Sequence, residues 1–363
     1  MAVMHASSFS IEGEMKLDYY NGFRTALIIT LASVLALVLD VDDPWWSGML
    51  ALTVANANWS NAWFQGGQRI IGIYIGMIVG YLFVILFKDV PILQMASIGG
   101  LAALAVYKRL ASPDYNIAWL LGTISAMLTL YISVVEVDQL FSIMTDWGAA
   151  ATIGIGSATI VMYSLTKDSP IGIGAGPITI RQLDDVERSW VTALCITAAV
   201  VSVLAPIVYV GHDLVAMLQI TITTLIVLYG PAEDVKKLAL NRMAGCLLGG
   251  VLGLLFVALG IETFFWWLAI YAGTLFFVCS LHHSTNYWAY SGTQAGYAFI
   301  VAALASAGPV NDIEGVLDRL VGIYIGAFLS IVVLFAVRVW QGRQVHDIKR
   351  LVSESEGGTG DRV

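Results

Sequence analysis

The sequence is poor in charge, and this shortage excludes most soluble classes of protein. Only 12% of its 363 residues are charged, 58% are hydrophobic, and the mean hydropathy is +0.80. A typical soluble domain carries about 25% charged residues, so the composition predicts an integral membrane protein. The chain also has no basic domain and no basic–aromatic surface, and we therefore expect no nucleic acid partner.

Cysteine is scarce as well, and motifs for chemistry are lacking. The three cysteines, Cys195, Cys246 and Cys279, fall in different apolar segments and fit the role of small apolar side chains. His282 and His283 are neighbours that point to different helix faces, with no cysteine or carboxylate cluster beside them, so no metal is expected. Neither an ATP motif nor a nucleophile–base arrangement is present. We expect no cofactor and no enzymatic activity.

Long apolar runs are what the chain has in abundance. Each run of roughly 17–23 residues, as a helix, is long enough for a hydrocarbon core of ~30 Å. The predicted fold is therefore all-α, a polytopic membrane protein with about 12 transmembrane helices. The predicted spans lie near 22–41, 45–63, 69–87, 91–107, 117–135, 147–166, 190–210, 212–229, 241–260, 263–280, 286–306 and 318–338.

One polar segment divides these spans into six and six, which predicts two tandem six-helix repeats. The first 21 residues are polar and show no signal-peptide pattern. The predicted segments are a cytoplasmic N-terminal segment 1–21, a first transmembrane repeat 22–166, a cytoplasmic linker 167–189, a second transmembrane repeat 190–340 and a cytoplasmic C-terminal tail 341–363.

Short sequence repeats support the duplication. RTALIIT at 24–30 is matched by VTALCIT at 191–197, and both open the first span of their half. QRIIGIYIG at 68–76 recurs as DRLVGIYIG at 318–326 and, more loosely, as NRMAGCLLG at 241–249. These three share the pattern R-x-x-G-x-x-x-G.

The pattern begins at Arg69, Arg242 and Arg319. Arg69 and Arg242 belong to the third span of each half, whereas Arg319 opens the sixth span of the second half. We hypothesise that each half consists of two three-helix units of opposite topology, as in many transporters. The sixth span of the first half keeps only a remnant, in which Ala149 takes the place of the arginine.

Glycines at every fourth position form a smooth stripe on these helices, which lets neighbouring helices approach closely. We expect these glycines to serve helix packing. They are Gly72, Gly76 and Gly80, then Gly245, Gly249 and Gly253, and finally Gly322 and Gly326.

The arginines leave alternatives open. Arg69 and Arg242 either extend to lipid headgroups or meet an anionic substrate. Arg319 stands beside Asp318 on an acidic outer side, which predicts an ion pair whose breaking would gate a pathway. Together with Arg24 they are the candidate charge and gating residues.

Basic residues also predict the orientation. If the N-terminus is cytoplasmic, only Lys88 and Arg319 of the 18 lysines and arginines lie outside, and 16 remain on the cytoplasmic side. This is a strong positive-inside bias. Both termini are therefore expected in the cytoplasm.

Polar residues inside spans are candidates for a substrate pathway, because they are costly in lipid unless they face a bundle interior or a wet cavity. Thr53 and Asn56 share one face of the second span, and Gln219 and Thr223 lie on its counterpart in the second half. The alternative is hydrogen bonding between helices, at ~0.6 kcal/mol each.

The eleventh span has the strongest polar pattern. Its candidate pathway residues recur at spacings of 4, 3, 4 and 3, which predicts one helical face. Tyrosines offer stacking and hydrogen bonds to a small-molecule ligand; the alternative is an aromatic belt at the membrane interface. The residues are His283, Tyr287, Tyr290, Gln294 and Tyr297.

The segment 23–76 resembles the N-terminal half-module of the fusaric acid resistance and aromatic acid exporter superfamily. The residues that carry the resemblance are Arg24, Trp46, Arg69, Gly72 and Gly76. It implies a secondary exporter of small, often aromatic, organic anions in the bacterial inner membrane, working with a periplasmic membrane-fusion protein. An anion channel and a non-transporting membrane assembly subunit remain as alternatives, and a homo-oligomer is compatible with all three.

Overall fold

The structure of the protein is a computed structural model that describes residues 16–55, 62–88, 90–112, 115–135, 137–165, 183–208, 214–228, 232–304 and 314–357. Within these ranges it is all-helical, which confirms the predicted fold class. The helices are α1 (Tyr19–Val38), α2 (Pro44–Val54), α3 (Ala62–Leu86), α4 (Pro91–Ala111), α5 (Asn116–Val135), α6 (Leu140–Leu165), α7 (Asp185–Val208), α8 (Leu214–Val227), α9 (Ala232–Ala258), α10 (Phe264–His282), α11 (Ala289–Ala303) and α12 (Glu314–Gly357), with a short 3₁₀ turn (Val137–Gln139) before α6.

The helices differ in length more than hydropathy predicts. Eight of them, α1, α3, α4, α5, α7, α9, α10 and α12, are long and apolar enough to cross a membrane. In contrast, α2, α8 and α11 have 11, 14 and 15 residues, whereas a full crossing takes about 20. A hydropathy window measures apolar content and not where a helix ends, so it does not distinguish these short helices.

The two halves interlock, and their packing repeats. In the first half α3 packs on α5 and α2 packs on α6; in the second half α9 packs on α11 and α8 packs on α12. The contacts between halves are paired in the same way, because α1 packs on α10 and α4 packs on α7. The tandem repeats therefore form one bundle with pseudo-two-fold symmetry.

Glycines bring these helices into backbone contact. A Cβ added at Gly76 of α3 would overlap the carbonyl oxygen of Gly122 in α5, and one at Gly249 of α9 would overlap the carbonyl oxygen of Ala295 in α11. Gly326 meets Ile220 of α8 in the same manner. The recurring nine-residue motif thus has a physical cause, since each copy places a smooth helix face against the backbone of a neighbour.

The fourth copy of the motif is displaced from its predicted position. Gly154 of α6 contacts Ser47 of α2 as Gly326 contacts Ile220, so the two glycines are equivalent. Seven residues before Gly326 is Arg319, and seven before Gly154 is Trp147 rather than Ala149. Trp147 therefore replaces the fourth arginine, and the prediction of Ala149 at this place is corrected by the packing.

Trp147 closes an aromatic stack at this position. It is 2% exposed, its ring meets that of Trp46 at 3.9 Å, and Trp46 stacks on Trp45 at 4.0 Å. Its indole nitrogen donates to the Ser125 hydroxyl at 3.2 Å. The first half thus has a packed aromatic cluster where the second half has an arginine.

Contacts along α9 and α12 show that the third and sixth helices of the second half are antiparallel. Tyr324 donates to the carbonyl of Met243, while Leu320 lies against Gly250. Residue numbers therefore rise along one helix as they fall along the other. This agrees with a half built from two three-helix units of opposite topology.

Hydrogen bonds between buried side chains join the halves. The hydroxyls of Ser33 and Tyr271 lie 2.9 Å apart, linking α1 to α10. We expect Tyr271→Phe to lower the free energy of unfolding by ~0.6 kcal/mol, the average for such bonds in membranes. Unfolding in detergent measures this change, with Tyr81→Phe at an exposed position as the control. Equal losses in both variants would contradict the assignment.

Candidate functional site

Arg69 belongs to α3, and its side chain lies against the C-terminal end of the short helix α2. It is 2% exposed, its Nη2 donates to the carbonyl of Thr53 at 2.6 Å, and its Nη1 donates to the carbonyl of Gln65 at 2.8 Å. Thr53 is in the last turn of α2, where carbonyls lack helical partners and carry partial negative charge. Arg69 therefore caps α2 inside the protein and does not extend to lipid headgroups. Its Nε has no hydrogen-bond partner.

Arg242 holds the equivalent position in the second half and is surrounded by neutral oxygens. Its Nε donates to the Thr223 hydroxyl at 3.0 Å, its Nη1 to Gln294 Oε1 at 2.6 Å and its Nη2 to Gln219 Oε1 at 3.5 Å. The side chain is 1% exposed. The structure thus brings together polar residues from α8, α9 and α11 that the sequence placed in separate spans.

Arg319 lies on α12 and is the least satisfied of the three. It is 3% exposed, and neither its Nε nor its Nη1 has a hydrogen-bond partner. It lies within electrostatic range of the Cys246 thiol, as does Arg242. The Cys246 thiol in turn lies 3.9 Å from Gln294 Oε1. Arg319 is thus part of the same buried neighbourhood as Arg242.

The three arginines converge on α11. Tyr297 lies within electrostatic range of Arg69, Arg242 and Arg319. Tyr290, about two turns earlier, has a buried hydroxyl close to Arg242. We call these five residues the arginine cluster. It draws its members from α3, α9, α11 and α12, and so from both halves of the chain.

No carboxylate neutralises the arginine cluster within the part of the chain that the structure describes. The hydrogen bonds of Arg69 and Arg242 go only to carbonyl, hydroxyl and amide oxygens. Burying a cation without a counter-charge is expensive, at several kcal/mol per ion. Arg69 Nε and Arg319 Nε and Nη1 are buried donors without a hydrogen-bond partner, and a bound anion would supply both a counter-charge and an acceptor for them.

The predicted face of the eleventh span is divided between two structures, which corrects the prediction. Tyr290, Gln294 and Tyr297 lie on α11, whereas His283 is the C-cap of α10 and Tyr287 precedes α11. A turn separates them, in which the backbone N–H of Trp288 donates to the Asn286 side chain. Asparagine favours such turns because its side chain bonds its own backbone two residues on.

The two separated residues have local roles. His283 Nε2 lies 2.8 Å from the Thr25 hydroxyl of α1, at the contact between halves. The ammonium of Lys237 lies 4.9 Å from the centre of the Tyr287 ring. Neither contact is with the arginine cluster.

The remaining candidates lie in different surroundings. The Thr53 hydroxyl donates to the Leu50 carbonyl of its own helix at 2.6 Å, so only its backbone serves Arg69. Arg24 lies over the ring of Tyr20 at 5.1 Å on α1, and Asp318 is half-buried near the start of α12. Asn56 falls outside the described residues.

Their polarity within apolar spans marks Gln219, Thr223 and Gln294 as candidates in the sequence, but nothing in the sequence connects them to Arg242. Cys246 was missed as a neighbour of the arginines. The signal available was the motif itself, because Cys246 lies one turn beyond Arg242 on the helix face that the glycines Gly245 and Gly249 pack against α11.

Comparison with known proteins gives one family. The family model described as "Fusaric acid resistance protein-like" matches residues 31–161 and again residues 203–333. The two matches coincide with the two halves that the helix packing relates. No curated protein and no solved structure matches the chain.

Proposed function

Because the chain belongs to the fusaric acid resistance protein-like family, we propose that it is a secondary transporter that exports small organic acids, bound as anions, across a membrane. The expected location is the bacterial inner membrane, with both termini in the cytoplasm. The family supports the class of exporter, and the positive-inside bias of the sequence supports the orientation.

The observation that carries the proposal is the arginine cluster. Its guanidinium groups are almost completely buried, and in the described residues their partners are neutral. An anion that enters would supply the missing counter-charge and accept hydrogen bonds from Arg319 and Arg69. Charge-assisted bonds of this kind are roughly twice as strong as neutral ones.

Aromatic carboxylates fit this neighbourhood best. A carboxylate would bind the free donors of Arg319, while the ring would lie against Tyr297 and Tyr290 on α11. Aromatic pairs add ~0.5–1.5 kcal/mol beyond the area that they bury. Arg242, already held by Thr223, Gln294 and Gln219, would stay in place and contribute its charge at longer range.

Export of an anion needs little additional energy. A negative cell interior favours outward movement of an anion by ~2.3 kcal/mol per charge for each 100 mV. The proposed transporter therefore needs no ATP, and coupling to protons is not required. A periplasmic membrane-fusion protein would continue the route outward, as the family resemblance implies.

Transport in liposomes tests the proposal. We expect benzoate flux from reconstituted protein to be saturable and dependent on a counter-ion, and to exceed the benzoate flux of protein-free liposomes at the same pH. Gln294→Ala should reduce benzoate transport by ~10-fold, because removing one partner of a buried charged hydrogen bond costs ~1.5–3 kcal/mol. Gln341→Ala is the matched control, because Gln341 is half-buried on α12 and its hydrogen bonds go to Arg338 and to the carbonyl of Ser189.

Two other outcomes would favour the alternative functions, an anion channel or a membrane assembly subunit. Flux that rises linearly with benzoate concentration and does not saturate would assign the protein to anion channels. The absence of flux and of any benzoate-dependent thermal shift, with unchanged acid tolerance in a deletion strain, would assign it to membrane assembly subunits.

A further inference from the structure

A cleft of about 480 Å³ lies between α4 and α7, two helices from different halves that pack on each other. Its walls are mainly apolar, and Leu104 and Tyr107 at its rim are 41% and 43% exposed. Both helices are long and apolar enough to cross a membrane, so lipid chains would have access to this exposed rim. The α4 and α7 residues that form most of its wall are Ala103, Leu104, Tyr107, Val191, Cys195 and Ala199.

The equivalent contact, between α1 and α10, is filled. Phe276 of α10 packs there against Tyr19 and Phe23 of α1, with ring centres 6.1 and 6.4 Å apart. Ala103 follows the first residue of α4, Pro91, by 12 positions, just as Phe276 follows the first residue of α10, Phe264. Ala103 in the wall of the cleft thus occupies the helix position at which α10 carries the ring of Phe276.

Two opposite charges stand at the mouth of the cleft. Arg188 belongs to its lining and lies at the start of α7, with its Nη1 3.5 Å from Oδ1 of Asp185. Both side chains are exposed, at 69% and 97%. They precede the apolar part of α7, so they lie where the headgroup region of a bilayer begins.

We propose that the cleft binds one acyl chain of phosphatidylethanolamine, whose phosphate contacts Arg188 and whose ammonium contacts Asp185. The apolar walls match the chain, and the adjacent charges match a zwitterionic headgroup that carries N–H donors. The headgroup of phosphatidylglycerol has no ammonium group that could bind Asp185. Its negative charge would also lie near Glu187 on the same turn. A choline headgroup has no N–H to donate to the carboxylate.

Lipid-dependent stabilisation tests this site on the full chain, delipidated in detergent and without any organic acid. Dioleoyl phosphatidylethanolamine should raise the melting temperature more than the phosphatidylcholine or phosphatidylglycerol with the same chains. Ala103→Phe, which fills the cleft as Phe276 fills its counterpart, should weaken this binding by ~10-fold, as for the lost burial of a few methylene groups. Ala96→Phe, exposed on the same helix, should leave it unchanged.

If Ala103→Phe fails to fold, substitutions at exposed positions still test the proposal. Arg188→Gln and Asp185→Asn should each remove the preference for phosphatidylethanolamine in native mass spectrometry, while some lipid binding is retained. Equal stabilisation by all three lipids, or a preference that survives these substitutions, would overturn the proposal. Because no organic acid is present, failure here leaves the proposed transport function untouched.

Discussion

Replacing Arg319 by glutamine is expected to abolish benzoate binding and, at the same time, to raise the melting temperature of the ligand-free protein. Both effects have one cause. Arg319 is 3% exposed and two of its nitrogens lack hydrogen-bond partners. A buried cation without a counter-charge destabilises the folded state, so removing it stabilises the empty protein. The same cation supplies the donors that a carboxylate needs.

The expected loss of affinity is large. Truncating one partner of a buried, hydrogen-bonded charge pair costs ~2–5 kcal/mol, which corresponds to a ~30-fold or greater increase in Kd. Tryptophan fluorescence during heating, with and without benzoate, measures the stability and the ligand-dependent shift in one experiment. Arg319→Lys keeps the charge and should keep part of the shift.

Arg343→Gln is the matched control, because Arg343 is an exposed arginine on the same helix, α12. It should change neither the benzoate-dependent shift nor the stability measurably, as is usual for surface substitutions. An Arg319→Gln protein that melts at a lower temperature and still responds to benzoate would remove Arg319 from the site. The arginine cluster would then be structural.

Gly76→Val is expected to prevent the first half from assembling. A Cβ at this position would overlap the carbonyl oxygen of Gly122, so α3 and α5 would have to separate. Overpacking of a core with side chains to adjust costs ~1–3 kcal/mol. Here the obstacle is backbone, which has no rotamer to change, and we expect the yield of monodisperse protein in detergent to fall at least several-fold.

Gly100→Val is the control for the general effect of introducing a valine into a membrane helix. Gly100 lies on α4, and an added Cβ there meets nothing within 4 Å. Size-exclusion chromatography should therefore show normal protein for Gly100→Val and aggregated or absent protein for Gly76→Val. Gly249→Val should behave like Gly76→Val, since its Cβ would meet the Ala295 carbonyl. Normal elution of all three would show that α3 and α9 do not need close contact.

Some of the site was predictable from sequence, and some was not. Gln219, Thr223 and Gln294 stood out because polar residues are rare within apolar spans. Their common partner Arg242 did not follow, because spacing along one helix says nothing about which helix lies opposite. His283 and Tyr287 were placed on the face of Tyr290 because periodicity continued across a turn that hydropathy does not show.

The arginines show the same limit of prediction from sequence. Their place at the ends of apolar windows permitted contact with headgroups, which their burial excludes for Arg69. Arg69 and Arg319 are 250 residues apart in sequence, yet both lie within electrostatic range of Tyr297. Only the packing of α3, α9, α11 and α12 brings them to one place.

By itself the sequence determined the class of protein, the number of helices and the duplication, because apolar content, helical periodicity and repeated motifs are properties of the chain read in order. The tertiary structure decided which helices touch, that Trp147 and not Ala149 replaces the fourth arginine, and that three cations share one buried neighbourhood. The physical reason is that helix partners are selected by the close fit of backbone surfaces. A site assembled from four helices exists only once that fit is made.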